Sequence, residues 1–186
     1  MTRAAILDAA ETIMRDEGYA AVSSRKVASV AGLKSKLVHY YFSTMDELFL
    51  ALLHRVEDRH FESLCRAAAS RTPVRALWRL SIDASLPRLH KDFVALALHR
   101  ERLRHDIARS AERARTLHGV VLARALEESG MDEGACPPAA LAILMDGAAR
   151  VLHTDRELGA SAGHAEAIRF VEAMIDRIEP PPAAGR

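Results

Sequence analysis

Apolar residues recur at intervals of three and four positions along nearly the whole chain, which is the spacing of one face of an α-helix. The first run includes Ile6, Ala10 and Ile13, and Gly18 follows it as a helix stop. Sustained alternation of apolar and polar residues, the pattern of a half-buried strand, is nearly absent. The pattern therefore predicts an all-α protein of about nine helices.

Capping residues and helix breakers divide this periodic pattern into separate elements. Ser23 suits the N-cap of a short helix that Gly32 ends, and a second short helix is predicted over residues 34–42. Thr44 and Glu47 have the spacing of a capping box, in which hydroxyl and carboxylate each bond a backbone amide. A long helix is expected over about 47–69. The next begins at Pro73, and the helical pattern resumes after a break or kink at Pro87. The last three helices are expected over about 101–128, 138–155 and 162–178.

This order of elements predicts two domains in a chain of 186 residues. Residues 1–46 are expected to form a three-helix domain with a helix-turn-helix, and residues 47–179 a larger helical bundle. A loop is expected at about 131–138, where Gly134 and a pair of prolines interrupt the helical pattern. The tail at 180–186, rich in proline, is expected to be extended or disordered.

Composition and charge narrow the class of protein. The formal net charge is +1, so any electrostatic case for a nucleic-acid partner must be local. No window approaches ~18 uncharged apolar residues, and the N-terminus lacks the pattern of a signal peptide. The two cysteines, Cys65 and Cys136, are far apart and have no ligand-like spacing. We therefore expect a cytoplasmic protein with reduced thiols and without a membrane span.

The segment from residue 23 to residue 45 is locally cationic and contains no Asp or Glu. Its predicted geometry is helix, short turn with glycine, helix, which is the geometry that places a second helix in the major groove of DNA. A small helical hairpin with a solvated basic face is the alternative interpretation. The basic side chains of the segment are Arg25, Lys26, Lys34, Lys36 and His39.

Short motifs along the first 50 or so residues are specific enough to indicate a family. They are Glu17-Gly18-Tyr19, Ser23-Ser24, Val27-Ala28, Ala31-Gly32-Leu33, His39-Tyr40-Tyr41-Phe42 and Ser43-Thr44-Met45-Asp46-Glu47-Leu48. In this order they resemble the DNA-binding domain of the TetR (tetracycline-repressor) family. The chain departs from the family pattern at three positions, since the family commonly has Ser or Thr at Lys34, Tyr at His39 and Lys at Met45.

The resemblance implies a set of DNA-binding residues in and around the second helix of the motif. On the groove side, Lys36 is the candidate for hydrogen-bonding guanine and Leu37 for touching a thymine methyl. The groove-facing candidates are Lys34, Lys36, Leu37 and Tyr40. The candidates for phosphate contacts, which set the register without reading sequence, are Ser24, Arg25, His39 and Tyr41.

The later helices resemble the ligand-sensing and dimerisation domain of the same family in number and length. In such proteins the middle helices enclose a cavity, so the ligand-binding candidates are Trp78, Phe93, Leu96 and Met145, with His99 or His153 as a polar point. The alternative for each apolar residue is plain core packing.

The last two helices carry enough apolar residues to form a four-helix interface between two protomers. The candidates are Leu141, Leu144, Ala148, Leu152, Ile168, Val171, Met174 and Ile175. The alternative is that these helices only close the core of the monomer.

Signals for metal binding or catalysis are weak. None of the nine histidines has a second histidine four residues away, and no cysteine lies at ligand spacing beside them. The sequence contains no Gly-rich phosphate loop and no Gly-x-Ser-x-Gly. We therefore expect no metal, no cofactor and no enzymatic activity.

The sequence thus predicts a homodimeric, ligand-responsive transcriptional regulator that binds double-stranded operator DNA. The expected action is that of a repressor released from a palindromic operator by a small apolar effector. The main alternative is a helical dimeric protein that binds a small molecule or another protein and has lost DNA binding. An activator, or a regulator driven by a protein partner, is a third possibility.

Overall fold

The computed structural model describes residues 2–83, 87–131 and 136–180. Regular structure in these ranges is helical throughout, which confirms the predicted all-α class. A 3-10 turn, Tyr19–Ala21, follows the first helix. The α-helices in these ranges are α1 (Thr2–Glu17), α2 (Ser24–Val30), α3 (Ser35–Tyr41), α4 (Met45–Ala68), α5 (Pro73–Ile82), α6 (Pro87–Ala97), α7 (Glu101–Ser129), α8 (Pro138–Leu158) and α9 (His164–Ile178).

The helix starts follow the capping chemistry that the sequence predicts. Ser23 is the N-cap of α2, and its hydroxyl accepts a hydrogen bond of 3.3 Å from the Lys26 amide. At the start of α4, the Thr44 hydroxyl accepts from the Glu47 amide at 3.1 Å. The Glu47 carboxylate in turn accepts from the amide of Ser43 at 2.8 Å, so the capping box is closed one residue earlier than usual.

Several helix ends differ from the prediction for local reasons. Lys34 has extended backbone angles and precedes α3 as its N-cap, so this helix begins one residue later than expected. α8 continues three residues past the predicted end at Asp155 to Leu158, where Gly159 takes a left-handed φ of 79° and stops it. At Pro87, where a break or a kink was expected, the break is confirmed, because α5 ends at Ile82 and α6 begins at this proline.

Two predicted irregular segments fall partly beyond the ranges given above. Of the loop expected at 131–138, residues 132–135 lie outside the described residues. Of the tail expected at 180–186, residues 181–186 also lie outside them. Among the described helices, none is long and apolar enough to cross a membrane.

The chain divides into two compact units, and the first comprises residues 1–60 and 86–110. Its core takes buried side chains from α1, such as Ile6 and Ile13, and from α4, such as Leu48 and Leu52. Outside the core, the guanidinium of Arg55 donates 2.6 Å hydrogen bonds to the carboxylates of Asp8 and Glu11, which joins α4 to α1. The buried residues that α6 adds to this core are Phe93, Leu96 and Ala97.

The predicted boundary at 46–47 therefore differs from the packing of the described residues. The beginning of α4 and the buried residues of α6 share a core with α1, α2 and α3. The reason is that Leu48, Leu52 and Leu53 supply apolar surface that α1 and the two short helices α2 and α3 need to bury theirs.

The second unit comprises residues 61–85 and 111–186. Its core is built from α5, the later part of α7, α8 and α9, with Trp78, Leu126 and Ile175 almost fully buried. The carboxylate of Glu179 accepts hydrogen bonds of 3.0 Å from the amides of Val74 and Arg75, which are otherwise unsatisfied at the start of α5. Glu179, directly after α9, is thereby fixed against the first turn of α5.

Candidate nucleic-acid interface and effector cavity

The turn between α2 and α3 has the geometry of a helix-turn-helix. Gly32 takes a left-handed φ of 66°, which a residue with a Cβ adopts only at a cost, and the Leu33 amide donates to the Ala28 carbonyl at 2.9 Å. Ala28 and Val38 are buried where the two helices pack. The small Ala28 on α2 and the apolar Val38 on α3 therefore fix the orientation of α3 against α2.

α3 buries one of its seven residues and exposes the others. Val38 is 1% exposed and is the residue that anchors the helix to the core. Tyr40, at 79%, is among the most exposed large side chains of the described residues. The other exposed residues of α3 are Ser35, Lys36, Leu37, His39 and Tyr41. The structure thus brings the predicted groove-facing residues together on one free helix surface.

The cations around this surface are of two kinds. Arg25, Lys34 and Lys36 are exposed, and no described residue forms an ion pair with them. The Lys26 ammonium, by contrast, is paired with the carboxylate of Glu17 on α1. Sequence reasoning counted Lys26 with the other basic residues, because the partner lies in a different helix and the spacing did not reveal the pair.

The remaining predicted phosphate contacts flank α3. Ser24 is the first residue of α2 and is half-buried, while His39 is exposed on α3. The Tyr41 ring meets the Tyr40 ring edge-on, with centroids 5.2 Å apart. Sequence reasoning missed Arg3, whose guanidinium lies 5.1 Å from the centroid of the Phe42 ring at the end of α3. A single exposed arginine in α1 gives no signal in the sequence that it lies beside the end of α3.

The second unit contains a small cavity between α5, α7 and α8. Its free volume is about 10 Å³, which is room for about one water molecule. Its polar lining consists of Ser81, His118 and Asp146. Trp78 also lines it, is 1% exposed, and has an indole Nε1–H without an acceptor among the described residues. The apolar lining comes mainly from Val74, Leu77, Leu122, Ala142 and Met145.

The predicted ligand-binding residues do not all come together at this cavity. Trp78 and Met145 line it, whereas Phe93 and Leu96 lie in the core of the first unit, so plain core packing is the better interpretation for these two. His99 is exposed just after α6, in the first unit. His153 is buried beside α5, where its Nε2–H donates to the Ser81 carbonyl at 2.8 Å. That histidine satisfies the end of α5 and is not part of the cavity lining.

The predicted interface residues on α8 and α9 separate by burial. Four of them close the core of the second unit itself, as the alternative interpretation had it: Leu141, Leu152, Val171 and Ile175. Ala148, Ile168 and Met174 are half-buried beside that core. Leu144, in contrast, is 68% exposed. The other large exposed apolar residues on these helices are Ile143, Val151, Leu158 and Phe170, which sequence reasoning did not assign to an interface.

A titratable cluster lies where α4 and α7 meet in the first unit. Burial raises the pKa of Glu57 to about 7, against the lowering effects of a Ser110 hydrogen bond and of His54. His54 Nε2 lies 2.7 Å from a carboxylate oxygen of Asp106. Burial works to raise the pKa of Asp106 too, but hydrogen bonds from His54 and His105, with the charge of Arg109, outweigh it, and the pKa is lowered.

Comparison with known proteins gives a match over the N-terminal helices. Residues 6–52 match the model described as bacterial regulatory proteins, tetR family. The HTH-type transcriptional regulator BetI of Rhizobium meliloti is 35% identical over 86 residues, which cover 44% of this chain and 42% of BetI. The HTH-type transcriptional repressor LfrR of Mycolicibacterium smegmatis is 34% identical over 85 residues, covering 46% of this chain and 44% of LfrR. The chain thus aligns with less than half of the length of these relatives.

The fold as a whole is similar to that of solved regulators. A transcriptional regulator from Rhodococcus sp. Rha1 superposes with a TM-score of 0.74 at 20% sequence identity, covering 97% of this chain and 99% of that one. This similarity shows a helix-turn-helix domain followed by a helical C-terminal domain, as the sequence predicted.

Proposed function

Because residues 6–52 match the model described as bacterial regulatory proteins, tetR family, we propose that the protein is a dimeric DNA-binding transcriptional regulator of that family. We propose further that it acts as a repressor and leaves its operator when a small apolar effector binds. The name of LfrR, a transcriptional repressor, fits this sign of regulation, whereas that of FasR of Mycolicibacterium smegmatis, a transcriptional activator 30% identical over 82 residues, fits the opposite sign.

The observation that carries this proposal is the free, cationic surface of α3 and the start of α2. Three exposed cations, Arg25, Lys34 and Lys36, have no carboxylate partner among the described residues, although acidic residues are almost as numerous as basic ones in the chain. A charge left unpaired in a near-neutral protein is available to replace the counterions of a phosphate backbone. Lys26, in contrast, forms an ion pair with Glu17, so its charge contributes to the contact between α1 and α2.

Within this proposal the exposed residues divide between reading and positioning. Lys36 and Leu37 lie in the first turn of α3, the part of a recognition helix that meets base edges. Arg25 lies beside Ser24 at the start of α2, where contacts to phosphate fix the register on the duplex. The exposed Tyr40 and Tyr41 are suited to either role, because each has an apolar ring and a hydroxyl.

The proposed dimer uses the exposed apolar face of α8 and α9. Leu144, Val151 and Leu158 repeat every seven residues along α8. Phe170 adds a large exposed ring from α9. Apolar residues that are free in this way on neighbouring helices are typical of a surface covered by another protein chain. A two-fold dimer of this kind would bind an operator with two half-sites about one DNA turn apart, roughly 34 Å.

Effector binding is proposed at the cavity lined by Trp78 and Met145. A ligand there releases DNA only if it binds the DNA-free state more tightly, and DNA must then weaken effector binding by the same factor. Equal effector affinity with and without DNA would contradict this part of the proposal and leave DNA binding itself untouched.

The DNA-binding proposal is tested by measuring affinity for duplex DNA across a salt series. Arg25→Ala should weaken binding and reduce the slope of log affinity against log salt by about one per contact removed. Arg79→Ala is the matched control, because it removes an equally exposed arginine from α5 in the second unit. An affinity that does not respond to salt, or that falls equally in both variants, would favour the alternative of a binding protein without a DNA function.

A further inference from the structure

We propose that the effector is a small uncharged molecule with a hydrogen-bond acceptor, such as a carbonyl or ether oxygen, and that Trp78 Nε1–H donates to it. This inference deepens the proposed function, since it names the class of molecule that the cavity of the second unit recognises. It rests on the effector-binding part of that proposal and not on DNA binding.

The first observation is an unmet donor at the cavity. Trp78 lines the cavity and is 1% exposed, and its indole N–H has no acceptor among the described residues. An indole nitrogen is a donor only, so no rearrangement of its own proton can satisfy it. The nearby Ser81 hydroxyl donates to the Leu77 carbonyl at 3.0 Å and is thus engaged within α5. An acceptor that enters the cavity and reaches this buried N–H would supply the hydrogen bond that no described residue makes.

The second observation is the charge of the lining. No lysine or arginine lines the cavity. Its titratable side chains are His118 and Asp146, and the carboxylate of Asp146 repels an anion. That carboxylate accepts a hydrogen bond of 2.7 Å from Arg150 one turn further along α8, so its negative charge is partly compensated and attracts a second cation less strongly. An uncharged molecule is not repelled by Asp146 and does not depend on the charge of that carboxylate for its binding. The apolar residues that make up most of the lining favour the same class.

The third observation is that the cavity must enlarge to accept an organic molecule. Its free volume of about 10 Å³ is far smaller than a six-membered ring requires. Met145 forms part of the wall and has an unbranched side chain with three rotatable bonds, so it is the residue best able to move aside. Trp78 then keeps its position in the core while the acceptor reaches its N–H.

The test uses the fact that the chain contains a single tryptophan. A proton–nitrogen correlation spectrum of the full-length labelled protein therefore shows one indole N–H signal, which belongs to Trp78. Cyclohexanone and methylenecyclohexane serve as probes, since they have nearly the same shape and differ in the acceptor oxygen. We expect both to bind saturably, cyclohexanone about tenfold more tightly, and we expect cyclohexanone alone to move the indole proton downfield.

Charged probes and one substitution complete the test. Cyclohexylammonium and cyclohexanecarboxylate should bind at least tenfold more weakly than cyclohexanone. Trp78→Phe keeps an aromatic ring but has no N–H, so it should bind the two uncharged probes with equal affinity. The wild-type spectra answer the question even if this variant does not fold.

Three results would overturn the inference: equal affinity of wild type for the two uncharged probes, tighter binding of either charged probe, or absence of saturable binding. None of them bears on DNA binding, which is measured without any probe. Loss of DNA binding with a normal response to cyclohexanone would instead overturn the regulator proposal alone.

Discussion

Glu57 shows how burial of one carboxyl group makes the stability of the first unit depend on pH. It is half-buried on α4, with Asp106 and Asp58 adding negative charge and His54 opposing them. The folded protein holds the proton of Glu57 up to a pH of about 7, whereas its ordinary pKa is 4.5. The folded state therefore binds more protons than the unfolded state between these values, so the free energy of unfolding falls as the pH rises through this window.

We predict that Glu57→Gln removes this dependence, because the amide keeps the shape and has no charge to bury. Relative to wild type, the variant should gain about 1–2 kcal/mol in the free energy of unfolding at pH 8, a value reduced for partial solvent screening, and little at pH 4.5. Urea unfolding at the two pH values measures the difference. Glu62→Gln, at an exposed position of the same helix, is the control and should show no such trend. A gain that is equal at both pH values would contradict the assignment.

Single residues were also where sequence reasoning was least complete. The pairing of Lys26 with Glu17 and the position of Arg3 over Phe42 depend on how α1 packs, and helical spacing within one element does not report that. The unmet N–H of Trp78 had no signal either, because hydrogen-bond partners belong to the packed molecule. The identity of a residue predicted its role only where that role involves residues close to it in the sequence, as in helix capping.

At the scale of elements, local chemistry was sufficient for most helix starts. Ser23, Thr44 and Pro73 begin their helices as predicted, because an N-cap hydroxyl or a first-turn proline acts within four residues. The assignment of helix faces was less successful. Leu141 and Leu144 belong to the same helix and are equally apolar, yet one is buried in the core and the other is exposed. An amphipathic pattern predicts that a helix has an apolar face, but it does not predict which neighbouring helix or chain covers that face.

The exposed face of α8 and α9 carries the prediction that belongs to this scale. Leu144→Asp should convert the dimer to monomer, because it places a charge in an apolar contact that an identical chain would cover. Light scattering coupled to size-exclusion chromatography measures the mass. Leu98→Asp, at a residue 69% exposed on the C-terminal side of α6, is the matched control and should leave the mass unchanged. A wild-type monomer, or an unchanged dimer in Leu144→Asp, would contradict the proposed interface.

At the scale of the whole molecule, the all-α fold and the N-terminal motif were predictable, whereas the grouping of helices into units was not. Phe93 and Leu96 are large apolar residues of a middle helix, and they were assigned to the ligand site because the middle helices enclose a cavity in the family that the chain resembles. They are buried instead with α1 and α4, because α1 and the two short helices α2 and α3 cannot enclose a core without further apolar surface. The order of elements in a sequence does not fix which of them share a core.

We propose, above all, that the exposed surface of α3 reads a specific DNA sequence as part of a two-fold dimer. Selection of bound duplexes from a random pool, at a low and a high salt concentration, tests it most directly. We expect enrichment of a palindrome with half-sites roughly 34 Å apart. Recovery should be weaker at high salt, because releasing the same counterions into a more concentrated salt solution is less favourable. Failure of a folded dimer to enrich any sequence at low salt would contradict the account and identify the chain as a binding protein that does not act on DNA.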